Sequence, residues 1–182
     1  MTAQAEFQHP FKALKTNMKS NVVLIGMAGS GKSTVGVILA KAIGMQFVDT
    51  DLLIQQKTGE KLQTTIDTKG LSSFLKTEEE VLLNLSLSNH VIATGGSAVL
   101  SDSAMEKLKT NSTVIFLDVE FKEIVKRVSN MSARGIVMEK DENFEDVFNK
   151  RLPLYRKYAD ITVEPKNSTL EETVNLIINA IK

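Results

Sequence analysis

The segment that most constrains this chain is Gly26-Met27-Ala28-Gly29-Ser30-Gly31-Lys32-Ser33, which satisfies G-x-x-x-x-G-K-[ST]. It directly follows the apolar run 22–25 and leads into a helical pattern over 33–43. A strand, a glycine loop and a helix in that order curl the backbone so that successive N–H groups face a phosphate, with the positive end of the helix behind them. The backbone of Gly29, Ser30, Gly31, Lys32, Ser33 and Thr34 is the expected cradle. Lys32 then reaches the β and γ phosphates of a nucleoside triphosphate, and the Ser33 hydroxyl meets the magnesium ion that bridges them.

Around this loop, short β-branched runs alternate with longer stretches of helical spacing, the pattern of βαβ units and a parallel sheet. Strands are expected at 22–25, 46–48, 91–94, 113–117 and 161–163. Helices are expected at 33–43, 51–57, 72–86, 101–109, 121–128, 144–158 and 170–181. The first, third and fourth strands are continuous apolar runs, as strands covered on both faces should be. The fold class is therefore α/β, a three-layer αβα sandwich with a five-stranded parallel sheet and helices on both faces. In the last helix Leu170, Val174, Ile177, Ile178 and Ile181 form one apolar stripe, which reads as core. Residues 129–143, rich in Ser, Asn, Met and charge and holding Gly135, are expected to be a mobile lid.

A length of 182 residues suits one domain with a sizeable core, here 21–182 behind a flexible tail at 1–20. The 22 basic residues balance 22 acidic ones, which removes the footprint of a general nucleic-acid or anionic-membrane binder, so any anion site must be local. The absence of cysteine excludes a disulfide framework, a thiolate metal site and a thiol nucleophile. The first twenty residues lack a signal-peptide core and arginine, and no run of about 18 apolar residues occurs. The expectation is a cytoplasmic monomer that meets a small-molecule acceptor, with neither nucleic acid nor membrane as partner. His9 and His90 have no ligand partners at useful spacing, so no metal site is built by the protein alone.

Asp49-Thr50-Asp51 lies at the end of the second strand, where strand ends line the ligand crevice of an open α/β sheet. In an extended segment residues i and i+2 share a face, which points one carboxylate (Asp49) to the magnesium shell and the other (Asp51) to an acceptor hydroxyl. Standing alone, the same residues read as a helix N-cap with an acidic first turn. The run 91–98 ends its apolar strand in Gly95-Gly96, where the backbone can approach a ligand closely and offer its amides. Only four arginines occur, Arg127, Arg134, Arg151 and Arg156, against eighteen lysines. Arg134 in the lid can swing over a transferring phosphoryl group, Arg151 can clamp a carboxylate or phosphate, and Arg156 reads as surface. Glu78-Glu79-Glu80 and 107–109 read as solvated helix faces. Asp67-Thr68-Lys69-Gly70 spells D-x-x-G, but the residues before it are polar and helix-like and no N-K-x-D follows, so ATP is favoured over GTP.

In order and spacing these motifs resemble the shikimate kinases, small P-loop enzymes that phosphorylate a hydroxyl of shikimate with ATP and magnesium. The resemblance covers about 21–182 and runs through the phosphate loop, F-V-D-T-D at 47–51, Phe74 with Glu78, A-T-G-G at 93–96, Arg127 and Arg134, and R-L-P-L-Y at 151–155. It implies that Lys32 and Ser33 hold phosphates and magnesium, with Asp49 in the magnesium shell. Asp51 would bind and orient the acceptor hydroxyl, and Arg127 would stack on adenine. Arg134 would act at the phosphates, Arg151 on the acceptor carboxylate, and Gly95 and Gly96 through backbone contacts to the acceptor. Three positions depart from the family pattern: Leu75 stands where a second carboxylate-clamping arginine is usual, Ser97 replaces a third glycine, and Arg134-Gly135-Ile136-Val137 replaces R-P-L-L. A lost charge-assisted hydrogen bond costs about 1.5–3 kcal/mol. A kinase for a different small alcohol or polyol, and a non-catalytic nucleotide-binding module, are therefore the alternatives to a kinase acting on shikimate. A nucleoside-monophosphate kinase fits less well, for want of arginines to grip an acceptor phosphate.

Overall fold

The computed structural model describes residues 19–128, 135–139 and 141–182. Five strands, β1 (Asn21–Ile25), β2 (Gln46–Asp49), β3 (His90–Ala93), β4 (Ser112–Leu117) and β5 (Ile161–Val163), pair in parallel in the order β2-β3-β1-β4-β5. Each expected strand is present within a residue or so of its expected ends. Because side chains alternate along a strand, β1 divides its apolar run between two layers. Val23 and Ile25 enter one core cluster with Val114 and Phe116 of β4, while Val22 and Leu24 enter the other with Ile115 and Leu117.

The helices sort onto these two faces. Helices α1 (Lys32–Ile43) and α8 (Leu170–Ala180) cover one through Val35, Leu39, Val174 and Ile177. The opposite face is covered by α5 (Asp102–Lys109), α6 (Phe121–Arg127) and α7 (Phe144–Tyr158), through Met105, Ile124, Val147 and Tyr155. Helix α4 (Leu71–Leu83) belongs to this layer through Leu82. Its Phe74 and Val81 instead join Ile54 of α2 (Thr50–Thr58), Leu62 of α3 (Leu62–Lys69) and Val137 in a third cluster at one end of the sheet. The expected three-layer α/β sandwich is what the chain forms.

The sequence reading assigned no helix to α3. Its apolar signal is weak, since the eight residues bury only Leu62 and Thr65 and carry no side-chain N-cap. Helix α4 ends at Leu83, three residues before its expected end, because Asn84 takes over as its C-cap. The expected lid overlaps residues 129–134 and 140, which lie outside the described residues, as do His9 and Arg134. Among the described residues no helix is long and apolar enough to cross a membrane, and no cluster of metal-ligating side chains occurs.

β1 lies at the centre of the sheet with β3 on one side and β4 on the other, so the chain after β1 leaves from the point where the strand order reverses. Ligands of open α/β sheets bind at that point.

Candidate active site

A cleft of about 720 Å³ opens beyond the carboxyl ends of the central strands. The loop after β1 forms its floor. Gly29 adopts φ +86°, and a Cβ there would collide with Val128, so only glycine lets the loop pass beneath α6. α1 starts at Lys32 after Gly31, without a side-chain cap, which leaves its first-turn N–H groups to an incoming anion. Ser30, Ser33 and Thr34 line the cleft with them. Gly29, Ser30, Gly31, Lys32, Ser33 and Thr34 are thus brought together along one side of the cleft.

Lys32 is buried and its ammonium donates to Gly26 O at 2.8 Å, Met27 O at 2.9 Å and Ser30 Oγ at 3.4 Å. Burial pulls its pKa down to about 8, against the opposing pull of the Asp51 and Asp49 carboxylates.

The acidic pair is built differently from the expectation of two residues on one extended face. The strand stops at Asp49, the helix begins at Thr50, and Asp51 sits in its first turn. Asp49 is the N-cap of α2, one oxygen accepting from Asp51 N at 3.0 Å, and of the pair only Asp51 lines the cleft. Asp51 lines the cleft, and burial, reinforced by Asp49 and opposed by Lys32, pushes its pKa up to about 6.

The glycine pair also needs correction. The Gly95 N–H, expected to face an acceptor, donates to Thr50 Oγ1 at 3.2 Å. What Gly95 supplies is room: a Cβ there would collide with Glu78 Oε1 and stand 2.9 Å from Asp51 Oδ1. Two carboxylates therefore converge over its Cα. Gly96 lies against Ala28 N and near the Arg151 guanidinium, and its carbonyl accepts from the Tyr155 hydroxyl at 2.7 Å. Ser97 is buried beside them.

Arg151 is 4% exposed, lines the cleft, and donates to Val137 O. Arg127 lines the far end with Pro165, and Arg156 lies outside the cleft, largely exposed and paired with Asp118. α8, expected to be core alone, contributes Leu170 and Thr173 to the cleft from its first turn, and Leu170 at the head of the apolar stripe is 46% exposed.

The chief correction concerns Glu78, read from sequence as part of a solvated face. It is 2% exposed, and among the described residues no hydrogen bond of ordinary geometry reaches either carboxylate oxygen, although the Ser97 hydroxyl is close enough to act on it. Burial pushes its pKa up to about 7, reinforced by Asp51 and opposed by Ser97, Arg151 and Lys32. Glu80 is on the surface as expected, paired with Lys57. Tyr155 is a second residue with a place here that sequence reasoning did not single out. It stacks on Phe116 and joins α7 to the glycine turn, and burial raises its pKa. The signal available in the sequence was the spacing of Tyr155 four residues after Arg151, which sets both on one helix face.

A phosphate cradle with a buried ammonium, an adjacent carboxylate and a buried guanidinium together suit phosphoryl transfer to a small anionic molecule. The sequence model of a family described as shikimate kinase matches residues 28–182. The chain belongs to the shikimate kinase family. It is an ATP-dependent kinase that phosphorylates a hydroxyl. The shikimate kinase of Francisella tularensis subsp. novicida is 34% identical over 161 residues, covering 86% of this chain and 92% of that protein. That of Thiobacillus denitrificans is 37% identical over 149 residues, covering 80% and 81%. Among solved structures, shikimate kinase from Acinetobacter baumannii in complex with shikimate superimposes with a TM-score of 0.83 at 30% identity, covering 89% of this chain and 92% of that one. The shikimate kinase fold thus accounts for nearly all of the described chain.

Proposed function

We propose that this kinase transfers the γ-phosphoryl group of ATP to a hydroxyl of shikimate, with residues 21–182 acting as one kinase domain behind an N-terminal tail at 1–20. The observation that carries the reading is the placement of Asp51 and Arg151 along the same cleft as the phosphate loop. An acceptor with a carboxylate at one end and hydroxyls at the other fits between them. The family's relatives carry the same name over most of their length.

In this reading the N–H groups of Gly29–Thr34 and the Lys32 ammonium hold the β and γ phosphates, and Arg127 with Pro165 bounds the adenine. Ser33 and Asp49 fit a magnesium ion by the chemistry of their donors, a hydroxyl and a carboxylate, with water completing the shell. When bound, magnesium neutralises charge on the β and γ phosphates. Arg151 takes the acceptor carboxylate, and Gly95 and Gly96 let the acceptor lie against the backbone. Asp51 accepts the hydroxyl proton as the acceptor oxygen bonds to the γ phosphorus, and the bond to the β-γ bridging oxygen breaks to release ADP. Lys32 and Arg134 hold the charge that spreads over the transferring group.

The test is ADP release from ATP and magnesium, with and without shikimate, followed in a coupled assay beside a panel of small alcohols and polyols. Shikimate-dependent turnover is expected. Turnover on another acceptor alone favours the second reading, a kinase for a different alcohol, which Leu75 in place of the family's arginine and the buried Ser97 in place of its third glycine support.

A further inference from the structure

Glu78 is a buried ionisable group at the acceptor end whose chemistry the mechanism above leaves unused. It projects from α4 to where Asp51 of α2 and the turn after β3 meet, and among the described residues both its oxygens are buried with no hydrogen bond of ordinary geometry. The groups that act on it are the carboxylate of Asp51, the hydroxyl of Ser97, the guanidinium of Arg151 from α7 and the ammonium of Lys32 from α1, and Tyr155 of α7 feels its charge in turn. Arg151 already donates to Val137 O, and Lys32 is held by the phosphate-loop carbonyls. Leu75, one helical turn before Glu78 and lining the same cavity of about 280 Å³, supplies no cation; the two other charged groups that line it are Lys76, which is exposed, and Glu79, which accepts from the Ser101 and Ser103 hydroxyls. Asp51 and Glu78 thus set two carboxylates against the two cations Arg151 and Lys32, and the acceptor's carboxylate is one more negative charge brought into that space.

We propose that the acceptor's carboxylate binds together with one proton, which Glu78 takes up, so that a neutral Glu78 acid stands where an ionised one would repel the ligand. This rests on the acceptor's being a carboxylate such as shikimate. The balance is simple: carboxylate ligand and solvent proton enter, and one buried carboxylate becomes a carboxylic acid that can donate to a neighbouring oxygen. The buried position of Glu78 already favours its protonated form up to about pH 7. Above that pH the ligand must bring the proton with it, and affinity falls by up to about tenfold per pH unit.

The experiment is calorimetric titration of shikimate into the full-length protein with ADP present, at pH 7.5 in buffers of different ionisation enthalpy. In the wild type the observed enthalpy should vary with the buffer by more than about half a proton taken up per shikimate bound, as linkage requires of a group that titrates near neutrality. Glu78→Gln, a neutral isostere, should remove most of that uptake and flatten the dependence of affinity on pH from 7 to 8.5. Leu75→Arg, which sets a guanidinium beside Glu78, should also lower the uptake by holding the carboxylate ionised, and serves as the second variant should the first fail to fold. Wild-type binding with no proton exchange overturns the inference and leaves the acceptor reading standing, as does an unchanged uptake in a folded Glu78→Gln protein. No shikimate binding at any pH, with no shikimate-dependent turnover, overturns both.

Discussion

At the scale of single residues, the site depends on charges held where water cannot reach them. Lys32 is buried with its ammonium on loop carbonyls, so its charge is in place before a nucleotide arrives. Lys32→Ala should lower kcat by roughly 10²-fold or more, since a buried, oriented donor acts at full strength on the transferring group. Circular dichroism and melting would show the fold retained; an active variant would sink the mechanism. Glu78 works in the opposite direction. Its pKa in the folded chain is about 7 against 4.5 in an open one, so the folded state binds more protons in that interval and stability falls as pH rises through it. At 1.36 kcal/mol per decade of pKa this is a penalty of about 3 kcal/mol, complete above pH 7 and absent below about 4.5. Glu78→Gln should therefore raise the melting temperature of the ligand-free protein at pH 8 and change it little at pH 5. Equal shifts at the two pH values would contradict this account.

At the scale of elements, turns and caps carry the candidate catalytic groups. The turn after β3 has no room for a side chain at Gly95. Gly95→Ala should displace Glu78 or Asp51, cost about 1–3 kcal/mol as overpacking does, and lower kcat/KM for the acceptor more than for ATP. Helix α7, which carries Arg151 and Tyr155, begins in a capping box in which Asn143 and Asp146 satisfy each other's backbone N–H groups. Asn143→Ala should cost about 1 kcal/mol, read from denaturant unfolding. Legibility in the sequence followed the strength of the local signal. The five strands and the flanks of α1 and α7 were readable because alternation and helical spacing were strong there, whereas α3, with two buried residues, had too little apolar pattern to announce itself. The Asp49–Asp51 pair was legible as chemistry and misread as geometry, because the residue at which a strand hands over to a helix is set by the cap.

At the scale of the whole molecule, one cleft gathers residues from the phosphate loop, α2, α4, the turn after β3, α7 and α8. A nucleotide seated there binds the folded state alone. ATP at about a hundred times its Kd should stabilise the protein by about 2.7 kcal/mol, a rise of about 5–10 °C in melting temperature for a chain of this length. A melting temperature that ignores ATP would count against the phosphate loop as a nucleotide site. The sequence by itself determined the α/β class, the order of the strands along the chain, the phosphate loop and the candidate acceptor residues, because these rest on local motifs and periodicities of a few residues. The tertiary structure alone decided that Glu78 is inside and its neighbour Glu80 outside, that Gly95 offers space in place of its amide, and that Tyr155 ties α7 to the glycine turn. Those outcomes depend on which surfaces meet when helices distant in sequence pack at one end of the sheet; the spacing of Glu78 from Phe74, Val81 and Leu82 sets it on the apolar face of α4, but only the packing decides that this face is closed over a carboxylate.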